Sequence, residues 1–421
     1  MKAAIRFSFL MTFLVILSAC QGADLRNIVN SYNTPGFAML FGGNESEWAQ
    51  SIRELPNADF VVSGGSSSTD IPGSSARGGN DGLIARFNAT GQVLWQHLYG
   101  GSGDDITSLV EPTSDGSFMV LGPTTSQDIA GTTYHGGTED FWVLKLDANG
   151  AVLWQKLYGG NGDDYPQSIS GTSDGAFLLA GSTTSTDLPG IANKGGTDGY
   201  LAKIDASGTL LWQRTYGGSG DDIIGAVQAD GGNFILAGSS RSTDIPGCTN
   251  KGGQDFWVMK VDASGTIIWQ KMYGGGGTDT GAEAQIVPSG GYYVAGVTDS
   301  IDIAGTQHIG MYDLLAIKLD ANGDAVWKKI YGGSGPNMDY PVHTVPAEDL
   351  VMVGNSESTD IPTTTNHGQG DILITKIDGT GSLQWQKMYG GSLYDWGHRI
   401  AERSAVDISF LADRDQVTFL D

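Results

Sequence analysis

Short apolar runs alternate with polar turns along almost the whole chain, and the alternation is itself periodic. An aromatic-Gly-Gly element returns with its aromatic at Phe41, Tyr99, Tyr158, Tyr216, Tyr273, Tyr331 and Tyr389, at steps of 58, 59, 58, 57, 58 and 58 residues. Four positions before the aromatic stand Trp95, Trp154, Trp212, Trp269, Trp327 and Trp385, with Phe37 in the first copy. After Tyr158 the pattern predicts strands over 167–170, 177–182, 200–204 and 210–216. Thr172-Ser173-Asp174-Gly175, a polar loop over 183–198, and Asp205-Ala206-Ser207-Gly208 would join them. Asp-Gly-type and Asn-Gly-type turns between runs of Val, Ile, Leu and aromatics are hairpin signals. No helical periodicity follows residue 19.

Four strands in each repeat of ~58 residues read as the blade of an all-β propeller. The ends predict seven blades. A lone fourth strand over 36–41 would complete three C-terminal strands over 397–403, 407–412 and 416–420, closing the ring with both termini and leaving no free sheet edge. Six blades with frayed ends is the competing count. One propeller domain over 36–421 is expected, with no second domain.

Composition agrees with a turn-rich fold. The 421 residues include 64 Gly and 13 Pro, with 17% charged and 39% hydrophobic residues, enough for a large core. A formal net charge of -24 argues against nucleic acid and favours cations or basic partners. Residues 1–19 read as a targeting segment: Lys2 and Arg6 precede an apolar run from Phe7 to Leu17 that is too short to span a bilayer comfortably. Leu17-Ser18-Ala19-Cys20 resembles the lipobox of bacterial lipoproteins, which implies acylation of Cys20 and a lipidated linker over 20–35. With Cys20 lipidated, Cys248 has no partner for a disulfide.

The stretch 140–160, Asp-Phe-Trp-Val-Leu-Lys-Leu-Asp-Ala-Asn-Gly-Ala-Val-Leu-Trp-Gln-Lys-Leu-Tyr-Gly-Gly, resembles the bacterial β-propeller repeat family, common in secreted and lipoprotein chains of Gram-negative bacteria. The resemblance covers roughly residues 36–421. Its Lys-Leu-Asp-x-x-Gly-x-x-x-Trp segment is also similar to the tryptophan-docking motif of quinoprotein-like propellers and of the lipoprotein propeller in the outer-membrane barrel-assembly machine. That second likeness implies blade packing only, because this chain lacks the vicinal cysteine pair usual in quinoproteins. A family likeness of this kind says little about function.

Three acidic sets recur. Glu47, Asp105, Asp164, Asp222, Asp279, Asn337 and Asp395 follow each aromatic by six residues. Asp70, Asp128, Asp187, Asp244, Asp302 and Asp360 lie in the loop between second and third strands, and Asp81, Asp140, Asp198, Asp255, Asp313 and Asp371 close that loop. Because successive strands run in opposite directions, all three sets should crowd one strongly negative face. Such aspartates cap backbone N–H groups in turns or coordinate Ca²⁺. The tryptophans should pack between blades, with carbohydrate stacking as the alternative. Thr113-Ser114-Asp115-Gly116 and its counterpart at 172–175 read as hairpins rather than sialidase-type Asp-boxes.

A catalytic centre should break the repeat. The departures are Arg241, Cys248, Glu283, residues 336–339, His343 and residues 395–403, while His97, His135, His308, His343, His367 and His398 show no ligand spacing. No catalytic residue, metal ligand or cofactor is therefore assigned, with Ca²⁺ the one cofactor left open. The expected function is non-enzymatic: an envelope lipoprotein, held in the outer membrane through its lipid, that binds a protein, glycan or cation on its acidic loop face. Its alternatives are a subunit of an envelope assembly machine and a carboxylate-dependent polysaccharide-degrading enzyme. The linker should attach on the turn side, so that the loops face away from the membrane.

Overall fold

The computed structural model describes residues 13–17, 38–39, 42–338, 342–345, 348–403 and 407–414. Six consecutive repeats each fold into an up-and-down antiparallel sheet, giving blades over 47–99, 109–158, 164–216, 222–273, 279–331 and 337–389. Blade 3 is representative: Asp164–Gly171, Phe177–Thr183, Asp198–Ile204 and Leu210–Tyr216 pair in that order. Strand order and hairpin positions therefore match the sequence pattern, and the strands extend back to the aspartates that open them.

Burial across a blade explains why each strand reads as it does. The first strand alternates, as in Asp222–Asp230. Second and third strands, such as Phe177–Thr183 and Asp198–Ile204, are buried along their whole length and form continuous apolar runs. The fourth is exposed where it begins and buried where it ends, as in Val152–Tyr158. The core lies between blades rather than within them. Phe141 and Val143 of blade 2 pack with Phe177, Leu179 and Tyr200 of blade 3, and Leu178 and Leu201 of blade 3 with Phe234, Trp257 and Met259 of blade 4.

Among the described residues the structure has six blades of four strands, not the seven expected. The remaining strands do not form the meander expected of a seventh. Asp395–Arg403 and Asp407–Arg414 pair antiparallel, but the next partner of Asp407–Arg414 is Phe13–Leu17, which runs parallel to it and also parallel to Ala38–Met39. Consecutive hairpins cannot generate parallel neighbours. Of the expected closing strand over 36–41 the structure describes Ala38–Met39, which pairs with Phe13–Leu17 and not with Asp407–Arg414. The strand expected over 416–420, most of residues 1–19, Cys20 and the linker lie outside the described residues.

In blade 6, Asn337–Met338 and Val342–Val345 both pair with Asp349–Ser356.

Candidate functional site: the loop face and the blade junctions

The loops between second and third strands and the connections from one blade to the next emerge on one face, as alternation requires. Asp70, Asp128, Asp187, Asp244, Asp302 and Asp360 are exposed there. Each is followed by an aliphatic residue that is almost fully buried (Ile71, Ile129, Leu188, Ile245, Ile303 and Ile361), so the loop is pinned beside its aspartate. The carboxylates cap backbone amides of the neighbouring connection: Ser102 N–H donates to Asp128 Oδ1, Asn161 N–H to Asp187 Oδ1 and Ser219 N–H to Asp244 Oδ1, each at 2.8 Å. Those amides hold Asp128 and Asp244 below the usual carboxylate range.

The other two acidic sets lie beneath that face, buried rather than exposed. Asp105, Asp164, Asp222 and Asp279 at the start of first strands are fully buried, as are Asp140, Asp198, Asp255, Asp313 and Asp371 at the start of third strands. They meet in pairs at the blade junctions, one from each blade, over the first glycine of the aromatic-Gly-Gly element. A Cβ on Gly217 would lie 2.3 Å from Asp198 Oδ1 and 2.7 Å from Asp222 Oδ2, and one on Gly159 2.6 Å from Asp140 Oδ1 and 2.5 Å from Asp164 Oδ2. Only glycine fits, which accounts for its place in every repeat.

Within a pair the two carboxylates are treated differently. Asp222 Oδ2 accepts the Gly218 N–H at 2.8 Å and the Ser242 hydroxyl at 2.7 Å. Asp198 Oδ2 accepts the Lys194 N–H at 2.7 Å, while its Oδ1 has no hydrogen-bond partner. Burial, opposed by the Lys194 amide and reinforced by the Asp222 charge, pushes the Asp198 carboxyl up to about 6. Asp255, buried beside Asp279, is likewise pushed up to about 6.

A basic residue precedes most of these third-strand aspartates. Lys194 Nζ donates to Gly217 O and Lys251 Nζ to Gly274 O; His135 Nδ1 lies 3.3 Å from Asp140 Oδ2 and His367 Nδ1 2.7 Å from Asp371 Oδ2. His135, His308 and His367 thus belong to the junctions. The Asp140 hydrogen bond raises the His135 pKa. His97 stacks on Trp95 at 5.4 Å between ring centroids. Cys248 is half-buried and free, its thiol pushed up to about 11 by burial. Arg241 forms an exposed ion pair with Asp221 at 3.5 Å.

On the opposite face the tryptophans dock as the motif implies. Trp95 Nε1 donates to Ala148 O of the next blade at 3.0 Å, and Trp154, Trp269 and Trp327 repeat the contact to Ala206, Ala321 and Gly379. A basic side chain lies over several of these rings, including Arg214 over Trp212 at 5.8 Å. All six repeated tryptophans are only half-buried; among the described residues the fully buried ones are Trp142 and Trp257, on third strands, which the periodicity does not single out. The hairpin at 172–175 carries an ion pair from Asp174 to Lys203 at 2.7 Å. A shallow groove of about 530 Å³ between blades 2 and 3 is lined by Pro189, Ile191, Leu211, Trp212 and Arg214. With Arg214 already over the Trp212 ring, sugar stacking there is not favoured.

Among the described residues no three His, Cys, Asp or Glu side chains converge on a metal position, and no helix is long and apolar enough to cross a membrane.

No family model matches the chain. Over 199 residues, 44% of this chain, it is 25% identical to the "Regulatory protein FlaEY" of Caulobacter vibrioides, and the match spans about a fifth of that relative's length. Among solved structures it is similar to the WD40 domain of Neurospora crassa Pan2, with TM-score 0.45, 12% identity, and 87% of this chain and 86% of that one covered. A protein of unknown function from Dyadobacter fermentans aligns with TM-score 0.44 at 11% identity, covering 82% and 94%. An apocarotenoid oxygenase of Synechocystis aligns with TM-score 0.41 at 11% identity, covering 84% and 95%.

Proposed function

We propose that the chain is a non-enzymatic scaffold of the bacterial cell envelope, anchored in the outer membrane through an acylated Cys20, whose loop face binds a protein or glycan partner. One observation carries the binding half of this reading. The six loops between second and third strands present the same exposed aspartate beside the same buried aliphatic anchor in every blade. A repeated, rigid surface suits multivalent recognition. Burial of the paired carboxylates counts against the polysaccharide-degrading alternative, because Asp140, Asp164, Asp198 and Asp222 expose no surface to a substrate. The anchoring half rests on the lipobox-like residues Leu17-Ser18-Ala19-Cys20.

The test places a photo-crosslinking residue at exposed Ala192 on the loop face, or at exposed Ala206 on the turn face, in envelope-bound full chain. Discrete adducts from position 192 alone, lost when Cys20→Ser releases the chain from the membrane, support the reading. Adducts from position 206 alone would contradict it, as would membrane retention of Cys20→Ser.

A further inference from the structure

At most junctions a buried carboxylate oxygen lacks a partner. Asp81, Asp140, Asp198, Asp255 and Asp371 are each 0–1% exposed, and in all five Oδ1 makes no hydrogen bond. In each, that oxygen points to the first glycine of the aromatic-Gly-Gly element, where Oδ2 of Asp105, Asp164, Asp222, Asp279 or Asp395 also arrives. Oxygen thus faces oxygen, with both groups removed from water. Buried like charges of this kind are costly unless a proton or a bridging cation neutralises them.

The sixth junction shows what such a group does. Between blades 5 and 6 the first-strand residue is Asn337, not aspartate. Its Nδ2 sits over Gly332 where the carboxylate oxygen stands elsewhere, and donates to Asp313 Oδ1 at 3.3 Å. The same amide reaches Tyr312 O at 3.0 Å and Gly335 O at 2.9 Å. Here one anion is gone and the otherwise orphaned oxygen is satisfied. The spot is lined by one carboxylate and two carbonyl oxygens, the donor chemistry that a hard cation prefers.

We propose that the five Asp–Asp junctions each bind one hard divalent cation of the Ca²⁺ class between the third-strand Oδ1 and the first-strand Oδ2, and that the Asp313–Asn337 junction binds none. Two protein carboxylates per site leave the remaining positions to backbone carbonyls and water, which suits large, flexible Ca²⁺ shells better than octahedral Mg²⁺. The neighbouring basic groups leave Oδ1 unpartnered: Arg77, Lys194 and Lys251 donate to the glycine carbonyls Gly100 O, Gly217 O and Gly274 O, and His135 and His367 meet Oδ2 of Asp140 and Asp371. The cations would tie blade to blade, whichever partner the loop face takes.

The test uses the chelator-stripped full chain at pH 7.5 and adds CaCl₂ or MgCl₂, following thermal melting and titration calorimetry. Ca²⁺ at a few millimolar, the range of extracellular modules, should raise the melting temperature by several degrees, and Mg²⁺ less. Saturation should come near five ions per chain, one for each Asp–Asp pair. Asp222→Asn copies the natural Asp313–Asn337 pair and should remove one ion; Asn337→Asp should add one. Absence of both binding heat and a melting shift would overturn the proposal. So would unchanged stoichiometry in both variants, or stabilisation by acidification with no response to Ca²⁺, which would assign the bridge to a shared proton.

Discussion

The Tyr158 hydroxyl donates to the carbonyl of Gly208, fifty residues on and in the next blade, at 2.6 Å. The same bond links Tyr99 to Gly150, Tyr216 to Gly265, Tyr273 to Gly323 and Tyr331 to Gly381. With the docked tryptophan and the junction carboxylates, it makes the aromatic-Gly-Gly element a lock between neighbouring blades at both ends of the outer strand.

Tyr216→Phe keeps the ring and deletes that bond, leaving a buried carbonyl without its donor. The expected loss is about 1–2 kcal/mol, read by urea denaturation. A neutral result would mean that water replaces the hydroxyl and the lock is weaker than its geometry implies.

The two classes of tryptophan should separate by cost. Trp257, 1% exposed, should lose about 3–5 kcal/mol on truncation to alanine, the usual range for a buried aromatic. Half-buried Trp212, packed on the Gly265 turn, should lose about 2 kcal/mol. Equal losses in denaturant titrations would contradict the difference in burial.

Gly217→Ala places a methyl group 2.3 Å from Asp198 Oδ1. A carboxylate anchored by the Lys194 amide cannot retreat freely, so a loss of about 2–4 kcal/mol is expected. Gly175→Ala is not an equivalent control, since its φ is +80°; Ala192→Gly on the exposed loop is, and should be near neutral.

The pH dependence has a definite sign. Asp198 and Asp255 titrate in the folded chain at about 6, above the ordinary value of 3.8, so between about pH 4 and 6 the native state holds more protons than the unfolded one. Stability in metal-free buffer must therefore fall as pH rises through that window. His135, raised by Asp140, acts in the same sense: its contribution is present at low pH and lost as pH rises through its folded value. Asp174, held at about 2 by Lys203 and Thr172, and Asp205, held at about 2 by Ser207 and Thr209, act oppositely. Their contribution disappears as pH drops from about 4 through 2. Melting temperature against pH should peak near pH 4; a maximum above pH 7 would contradict these environments.

Much of the ring was legible in the sequence, for identifiable reasons. A strict period fixes the blade, alternation and continuous apolar runs distinguish inner from middle strands, and Asp-Gly-type turns mark the hairpins. The blade count was not legible, because closure depends on which segment pairs with Asp407–Arg414, and pairing partners leave no periodic trace in a single terminal copy. Nor was the fate of the acids. Asp187 and Asp198 both read as loop aspartates, yet one is exposed and the other fully buried. Two signals could have separated them: Asp198 directly precedes a buried apolar strand, and its partner Asp222 follows the glycine pair by a fixed interval. The fully buried Trp142 and Trp257 give no periodic signal because they occur in only two blades.

Carboxyl footprinting separates the three acidic sets, since two of them lie in buried junctions and the third forms the exposed surface. The folded full chain is treated with a water-soluble carbodiimide and an amine, and modification is read residue by residue by mass spectrometry. Asp70, Asp128, Asp187, Asp244, Asp302 and Asp360 should label readily, while Asp140, Asp164, Asp198, Asp222 and Asp255 stay protected until the chain unfolds. Labelling of Asp198 and Asp222 at the rate of Asp187 in the folded chain would contradict the account.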